Sequence, residues 1–79
     1  MIGYFYNLWD GYWRNYRIDT ETAVQIALQR VPGQLIKIEV DMEDGFLTYE
    51  ISIRSNDGLM YEVKMDANTG EILEVDRND

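Results

Sequence analysis

The chain contains no cysteine and no histidine. Without cysteine, no disulfide staples the fold and no thiolate nucleophile exists. Without either residue the common structural zinc sites have no ligands. Neither a Ser–His–Asp nor a Cys–His catalytic arrangement can be assembled. Long apolar runs are also missing: nothing approaches the roughly 20 residues that span a bilayer. The amino terminus lacks a basic start, and its apolar residues are interrupted by Asn7 and Asp10, so it does not read as a signal peptide. Basic residues are scarce, seven against fifteen acids, for a net charge of −8. The deficit is uneven: residues 1–17 set Asp10 against Arg14 and Arg17, whereas residues 18–79 set fourteen acids against five bases, a balance of −9. A domain so acidic is repelled by phosphate backbones, which argues against nucleic acid as a partner. It favours solubility and steers toward basic partners without specifying one.

At 79 residues there is room for one domain. A chain of this size buries only roughly 60% of the surface it exposes when unfolded. Within residues 3–16, Phe5, Leu8, Trp9, Tyr12, Trp13 and Tyr16 fall at i, i+3, i+4, i+7, i+8 and i+11, the spacing of one helical face. This predicts an aromatic-rich helix, with an extended aromatic arm as the alternative because Gly11 and the aromatics are indifferent helix formers. A clearer element follows. Asp19 is placed to cap a helix whose inner side is Ala23, Val24, Ala27, Leu28 and Val31, with Ile26 at its margin. Pro32-Gly33 ends it, the proline by disfavouring helix before it and the glycine as a left-handed exit.

From Leu35 the period changes from 3.6 to 2. Ile36, Ile38, Val40 and Met42 alternate with Lys37, Glu39 and Asp41; Leu47, Tyr49, Ile51 and Ile53 alternate with Thr48, Glu50, Ser52 and Arg54; Leu59, Tyr61, Val63 and Met65 alternate with Met60, Glu62 and Lys64. Turns are marked by Asp44-Gly45, Asn56-Asp57-Gly58 and Asp66 to Gly70. A short fourth strand, Glu71 to Val75, precedes a tail expected to fray. Short links between evenly spaced strands predict an antiparallel meander. One face is apolar and the other charged, as a single covering helix requires. The expected fold is therefore α+β: one helix on a meander of three long strands and a short fourth, plus the amino-terminal aromatic helix. The expected core is Val24, Ala27, Leu28, Val31, Ile36, Ile38, Val40, Tyr49, Ile51, Ile53, Tyr61, Val63, Met65 and Ile72.

The capped start at residues 18–23 (IDTETA), the helix AVQIALQRVPG, the paired YEI (49–51) and YEV (61–63), and the turn DANTGEIL (66–73) together resemble the PepSY domain. The resemblance covers residues 18–79, which sets that domain apart from the aromatic segment 1–17. It implies a helix packed on an antiparallel sheet. It also implies a small binding module of the bacterial cell envelope that inhibits or regulates peptidases, as in the propeptides of thermolysin-like metallopeptidases. It carries over no catalytic residues. An extracytoplasmic or envelope location is implied by the resemblance alone, since the chain shows no signal or anchor.

The carboxylates Asp41, Glu43 and Asp44, with Asp57 at the opposite end, match the alternate acids of a calcium loop only in passing, and they read as a solvated acidic face. Asp66, Asn68, Thr69 and Gly70 read as a turn in which Asp66 and Asn68 bond nearby amides. On the outer face Lys37, Glu39, Glu50, Arg54, Glu62 and Lys64 are placed for cross-strand pairs, with Phe46 and Met60 as apolar exceptions. The expectation is a non-enzymatic protein-binding module with no cofactor and no metal, whose partner is a peptidase. Self-association into a homodimer through the aromatic helix is the alternative. Phe5, Leu8, Trp9, Tyr12, Trp13 and Tyr16 either fold back on the domain and enlarge its small core or are the partner-binding residues, because Trp and Tyr dominate contact hot spots. Membrane-surface contact is disfavoured, because the segment has no lysine and an acidic body follows it.

Overall fold

The computed structural model describes residues 17–78. The aromatic helix expected over residues 3–16 lies outside them. Helix α1 spans Thr20–Arg30 and is followed by strands β1 (Gly33–Glu43), β2 (Phe46–Ser55), β3 (Met60–Asp66) and β4 (Ile72–Asn78). The strands form one antiparallel sheet in the order β1-β2-β3-β4, the meander expected from the alternation.

The helix begins where its cap dictates. Asp19 is extended and its carboxylate accepts the Thr22 N–H at 2.8 Å. The start is tied to the sheet by Ile18, whose N–H donates to the Ala67 carbonyl at 2.6 Å and whose carbonyl accepts the Tyr49 hydroxyl at 2.5 Å. Burial pushes the Tyr49 phenol above its ordinary value, which keeps that donor protonated. Ala23 and Ala27 are fully buried, so two short side chains form the line of contact with the sheet. Val24 is only half-buried, and Ile26 and Leu28 pack against the core as flanks.

The buried centre belongs to the inner strands: Tyr49, Ile51 and Ile53 on β2, Val63 and Met65 on β3, joined by Val31 and Ala67. Ile38, Tyr61 and Ile72, also expected in the core, are partly buried against it, with Ile18, Leu47 and Val75 added. Two expected core residues are corrected by the structure. Val40 is 45% exposed because β1 is an edge strand, with a neighbouring strand on one side only. Ile36 is 43% exposed because the register slips between Leu35 and Lys37: Leu35 faces Ile53, Lys37 faces Ser52, and Ile36 is the extra residue of a bulge.

Three local expectations also change. Gly33 is not among the glycines of positive φ, so the helix does not leave through a left-handed glycine. Instead Gly33 opens β1 in close approach to β2, where an added Cβ would stand 2.1 Å from the Arg54 carbonyl oxygen. The carboxyl tail is not frayed through Asn78: Asp76, Arg77 and Asn78 pair with Glu62, Tyr61 and Met60, and β4 equals β3 at 7 residues. In the last turn Asp66 accepts the Asn68 N–H at 2.8 Å and Thr69 accepts the Glu71 N–H at 3.1 Å, but the buried Asn68 side-chain oxygen has no partner among the described residues.

Two measurements test this account. Gly33→Ala forces β1 from β2 and lowers stability by more than about 2 kcal/mol in urea unfolding. Gly45→Ala, at a φ of 87 in open space, costs only about 1 kcal/mol. Bonds from Thr22 hold the Asp19 carboxyl below its ordinary 3.8, so its contribution is present above that value and is lost as pH falls through the lowered one. Asp19→Ala therefore lowers the melting temperature at neutral pH, and the difference from the parent chain narrows as pH falls through the lowered carboxyl value.

Candidate functional site

The first strand is the place where this fold is least covered. The Asp44-Gly45 turn has positive φ at both residues, 49 and 87, and Glu43 faces Phe46 across it, which is a two-residue type I′ hairpin. The residues flanking such a turn form a hydrogen-bonded pair, and bonding alternates along an antiparallel ladder. Glu43, Asp41 and Glu39 therefore turn their backbone groups toward β2, while Met42, Val40 and Ile38 turn theirs outward. Met42 bears this out: its N–H donates not into the ladder but to the Asp41 carboxylate, at 2.9 Å. Among the described residues nothing pairs with this outward side.

The two faces of β1 differ in chemistry. On the helix side, Val40 and Met42 are 45% and 61% exposed, opposite Tyr49 and Leu47. On the outer side stand Lys37, Glu39, Asp41 and Glu43, and Lys37 spends its charge on exposed Glu39 at 3.7 Å. Among the described residues no helix covers the outer face. There Glu39 lies directly opposite Glu50, Glu50 opposite Lys64, and Lys64 opposite Glu74.

Lys64 is the cation that holds this face together. Its ammonium donates to both Glu43 oxygens, at 3.0 and 3.1 Å, and stands 3.9 Å from Glu74. Glu43 is on β1 and Lys64 on β3, so the two side chains meet above β2, where Thr48 and Glu50 stand. Thr48 is fully buried, and its hydroxyl has no partner among the described residues. The bond to Glu43 raises the Lys64 pKa, and the charges of Glu43, Glu74 and Glu50 add to the effect. The Glu50 carboxyl is also raised, by burial first and then by Glu62, Asp41 and Glu39.

The carboxylates of Asp41, Glu43 and Glu50 lie within 4.8 Å of one another. Lys64 already sits on this group, so it is an ion-paired acidic face before it is a cation site. Asp44 is taken up by the hairpin turn. Asp57, at the other end of the sheet, is taken up by bonds from the Ser55 hydroxyl and from the Leu59 N–H at 3.1 Å, which lower its pKa. Beside it an open depression of about 450 Å³ runs between Arg30, Pro32, Ser55 and Asp57, with Tyr61 and Val75 lining it. The acid of raised pKa, Glu50, is on the open face and not in this depression, so this depression brings no paired acid and base together among the described residues.

The expected cross-strand pairs are realised in part: Lys64 meets Glu43 and Glu74, whereas Lys37 meets its own strand neighbour Glu39. Phe46 is 40% exposed and Met60 is half-buried. Phe5, Leu8, Trp9, Tyr12, Trp13 and Tyr16 lie outside the described residues. The chain enters the described domain at Arg17 and Ile18, beside Tyr49 and the turn at Ala67. Sequence reading missed the open edge of β1; the signal available for it was the hairpin type written in Asp44-Gly45. No helix among the described residues is long and apolar enough to cross a membrane.

Residues 17–76 match the family described as "Peptidase propeptide and YPEB domain", or PepSY. No curated protein and no solved structure matches the chain.

The charge arrangement yields a test. Because the Glu50 carboxyl is raised above its ordinary 4.5, the native state is penalised once the group ionises; above the raised value the penalty is complete, and below 4.5 it vanishes. Glu50→Gln raises the melting temperature by a few degrees at neutral pH, and the gain disappears below about pH 4. Equal melting temperatures for the two chains at neutral pH would contradict the crowding of acids around Lys64.

Proposed function

The chain belongs to the PepSY family, and on that premise we propose that it is a non-enzymatic binding module that inhibits or regulates a peptidase. The observation that carries this reading is the family match over residues 17–76, in a family of propeptide and inhibitor-like domains. The chemistry of the chain supports it: histidine and cysteine are absent, and Glu50, the acid of raised pKa among the described residues, stands on the open face. Domains of this family are typically extracytoplasmic, and we assign this chain the same setting.

The domain proper runs over residues 18–79, and the segment 1–17 contributes the contact. Phe5, Leu8, Trp9, Tyr12, Trp13 and Tyr16 carry more large apolar surface than a free helix leaves in water, and their residue types are those of contact hot spots. The body that follows is acidic, which directs the module toward a basic region of its partner.

Titration of a thermolysin-like metallopeptidase with the full chain is expected to give inhibition or a stable complex. Full peptidase activity at high excess removes the reading. The double variant Trp9→Ala/Trp13→Ala weakens binding by at least about thirtyfold, the effect of losing a hot spot, with the urea midpoint unchanged. Sedimentation run beside it separates a contact with the peptidase from one with a second copy, in which the free chain sediments as a dimer that residues 1–16 are needed to form.

A further inference from the structure

We propose that the outward edge of β1, over Ile38–Glu43, receives an extended basic segment of a protein partner as a fifth strand of the sheet. The inference rests on the reading of the chain as a protein-binding module and adds the surface and the chemistry of what it binds.

The edge is regular and open. Below the bulge at Ile36 the register from Ile38 to Glu43 is unbroken. The type I′ hairpin turns the backbone groups of Ile38, Val40 and Met42 outward, which is the array of donors and acceptors an added strand requires. The exposed side chains continue the two layers of the fold. Val40 and Met42 extend the apolar side beyond the helix, so apolar residues of an incoming strand find a surface there. On the other side Glu39, Asp41 and Glu43 alternate with them, so the strand's intervening residues meet carboxylates. Basic residues at alternate positions match this pattern.

Charge decides the occupant. A second copy would bring Glu39, Asp41 and Glu43 against the same acids, in a chain of net charge −8. Acids on an edge strand oppose such self-pairing, and a basic segment meets no such barrier. Asp41 adds a latch: its carboxylate occupies the Met42 N–H in the free protein, at 2.9 Å. A basic side chain that draws the carboxylate away frees that N–H for a carbonyl of the incoming strand. The opposite edge, β4, offers less, because its register breaks at Leu73 and its Ile72 and Val75 pack on the core.

The test is a titration of the isotope-labelled full chain with a capped heptapeptide of alternating valine and lysine. Its control carries glutamate in place of lysine. The expected result is saturable shifts over residues 35–43 and slowed exchange of the Ile38, Val40 and Met42 amides, with the glutamate peptide at least about tenfold weaker. Val40→Pro removes an outward N–H without touching the ladder, and it should abolish binding while unfolding stays cooperative. Glu39→Gln/Asp41→Asn leaves the edge able to pair and should lose the preference for lysine over glutamate. Absence of saturation, shifts centred on β4 or the outer face, or unaltered binding by Val40→Pro would each overturn the proposal. So would protection of the same amides in the free chain that grows with protein concentration, which assigns the edge to a second copy. Protection in the free chain that vanishes when residues 1–16 are deleted assigns it to the chain's own amino terminus and likewise overturns it. In the peptidase assay, inhibition that Val40→Pro retains sinks the edge and leaves the regulatory reading standing. A parent chain that neither inhibits nor binds sinks that reading, whatever the heptapeptide does.

Discussion

An α-helix is about 10 Å across with its side chains, and strands lie about 4.8 Å apart. One helix of 11 residues therefore covers about two strands of a four-stranded sheet. Most other features of the molecule follow from this mismatch of widths. The fully buried strand residues, Tyr49, Ile51, Ile53, Val63 and Met65, all belong to the two inner strands. Ala23 and Ala27 bring the helix down onto the apolar face on the side of β1 and β2, and Ile18 pins its start through Ala67 and Tyr49. On the edge strand β1, Val40 and Met42 stay in contact with water although they point to the apolar side.

The opposite face carries the complementary constraint. Nothing covers it among the described residues, so it is built largely of charged and polar side chains, in which acids outnumber the bases Lys37, Arg54 and Lys64. Glu39 and Glu50 face each other directly, an arrangement that costs free energy unless a cation stands close by. Lys64 supplies that cation from β3, reaching over β2 to grip Glu43 and lying beside Glu74. Lys37, Arg54 and Lys64 leave an excess of acids on this face, which adds to burial in raising the Glu50 carboxyl. The same excess discourages the edge strand from pairing with its own kind, and it sets the sign of whatever approaches.

Much of the fold was legible in local signals. Asp19 caps the helix where its residue type and position said it should, and Pro32 lies just beyond the helix end. The change from a 3.6 to a 2 period located all four strands, and Asp44-Gly45 forms the hairpin its sequence specifies. The family resemblance read from IDTETA, YEI, YEV and DANTGEIL is matched over residues 17–76. The errors occur where two chain segments meet. Gly33 looked like a helix exit and is in fact a close approach to the Arg54 carbonyl, a contact made by a residue 21 positions away. Asp76 to Asn78 looked like a tail and are held by β3. Asn68 was expected to bond an amide, and the turn uses Asp66 and Thr69 instead. Ile36 kept the alternation in the sequence but lost its place to a bulge.

The candidate site divides along the same line. Its charge, its residue types and the aromatic stripe of Phe5 to Tyr16 are properties of composition and spacing, visible without coordinates. That β1 is an edge strand, that its outward amides are those of Ile38, Val40 and Met42, and that Asp41 turns back onto one of them depend on strand order and register. By itself the sequence determined the helix and strands of the described residues, the turns, the acidic sign and the family, because propensity, capping and periodicity act between residues close in the chain. Tertiary structure alone decided which apolar residues are buried and which edge stays open, because burial depends on how wide a layer one helix can cover.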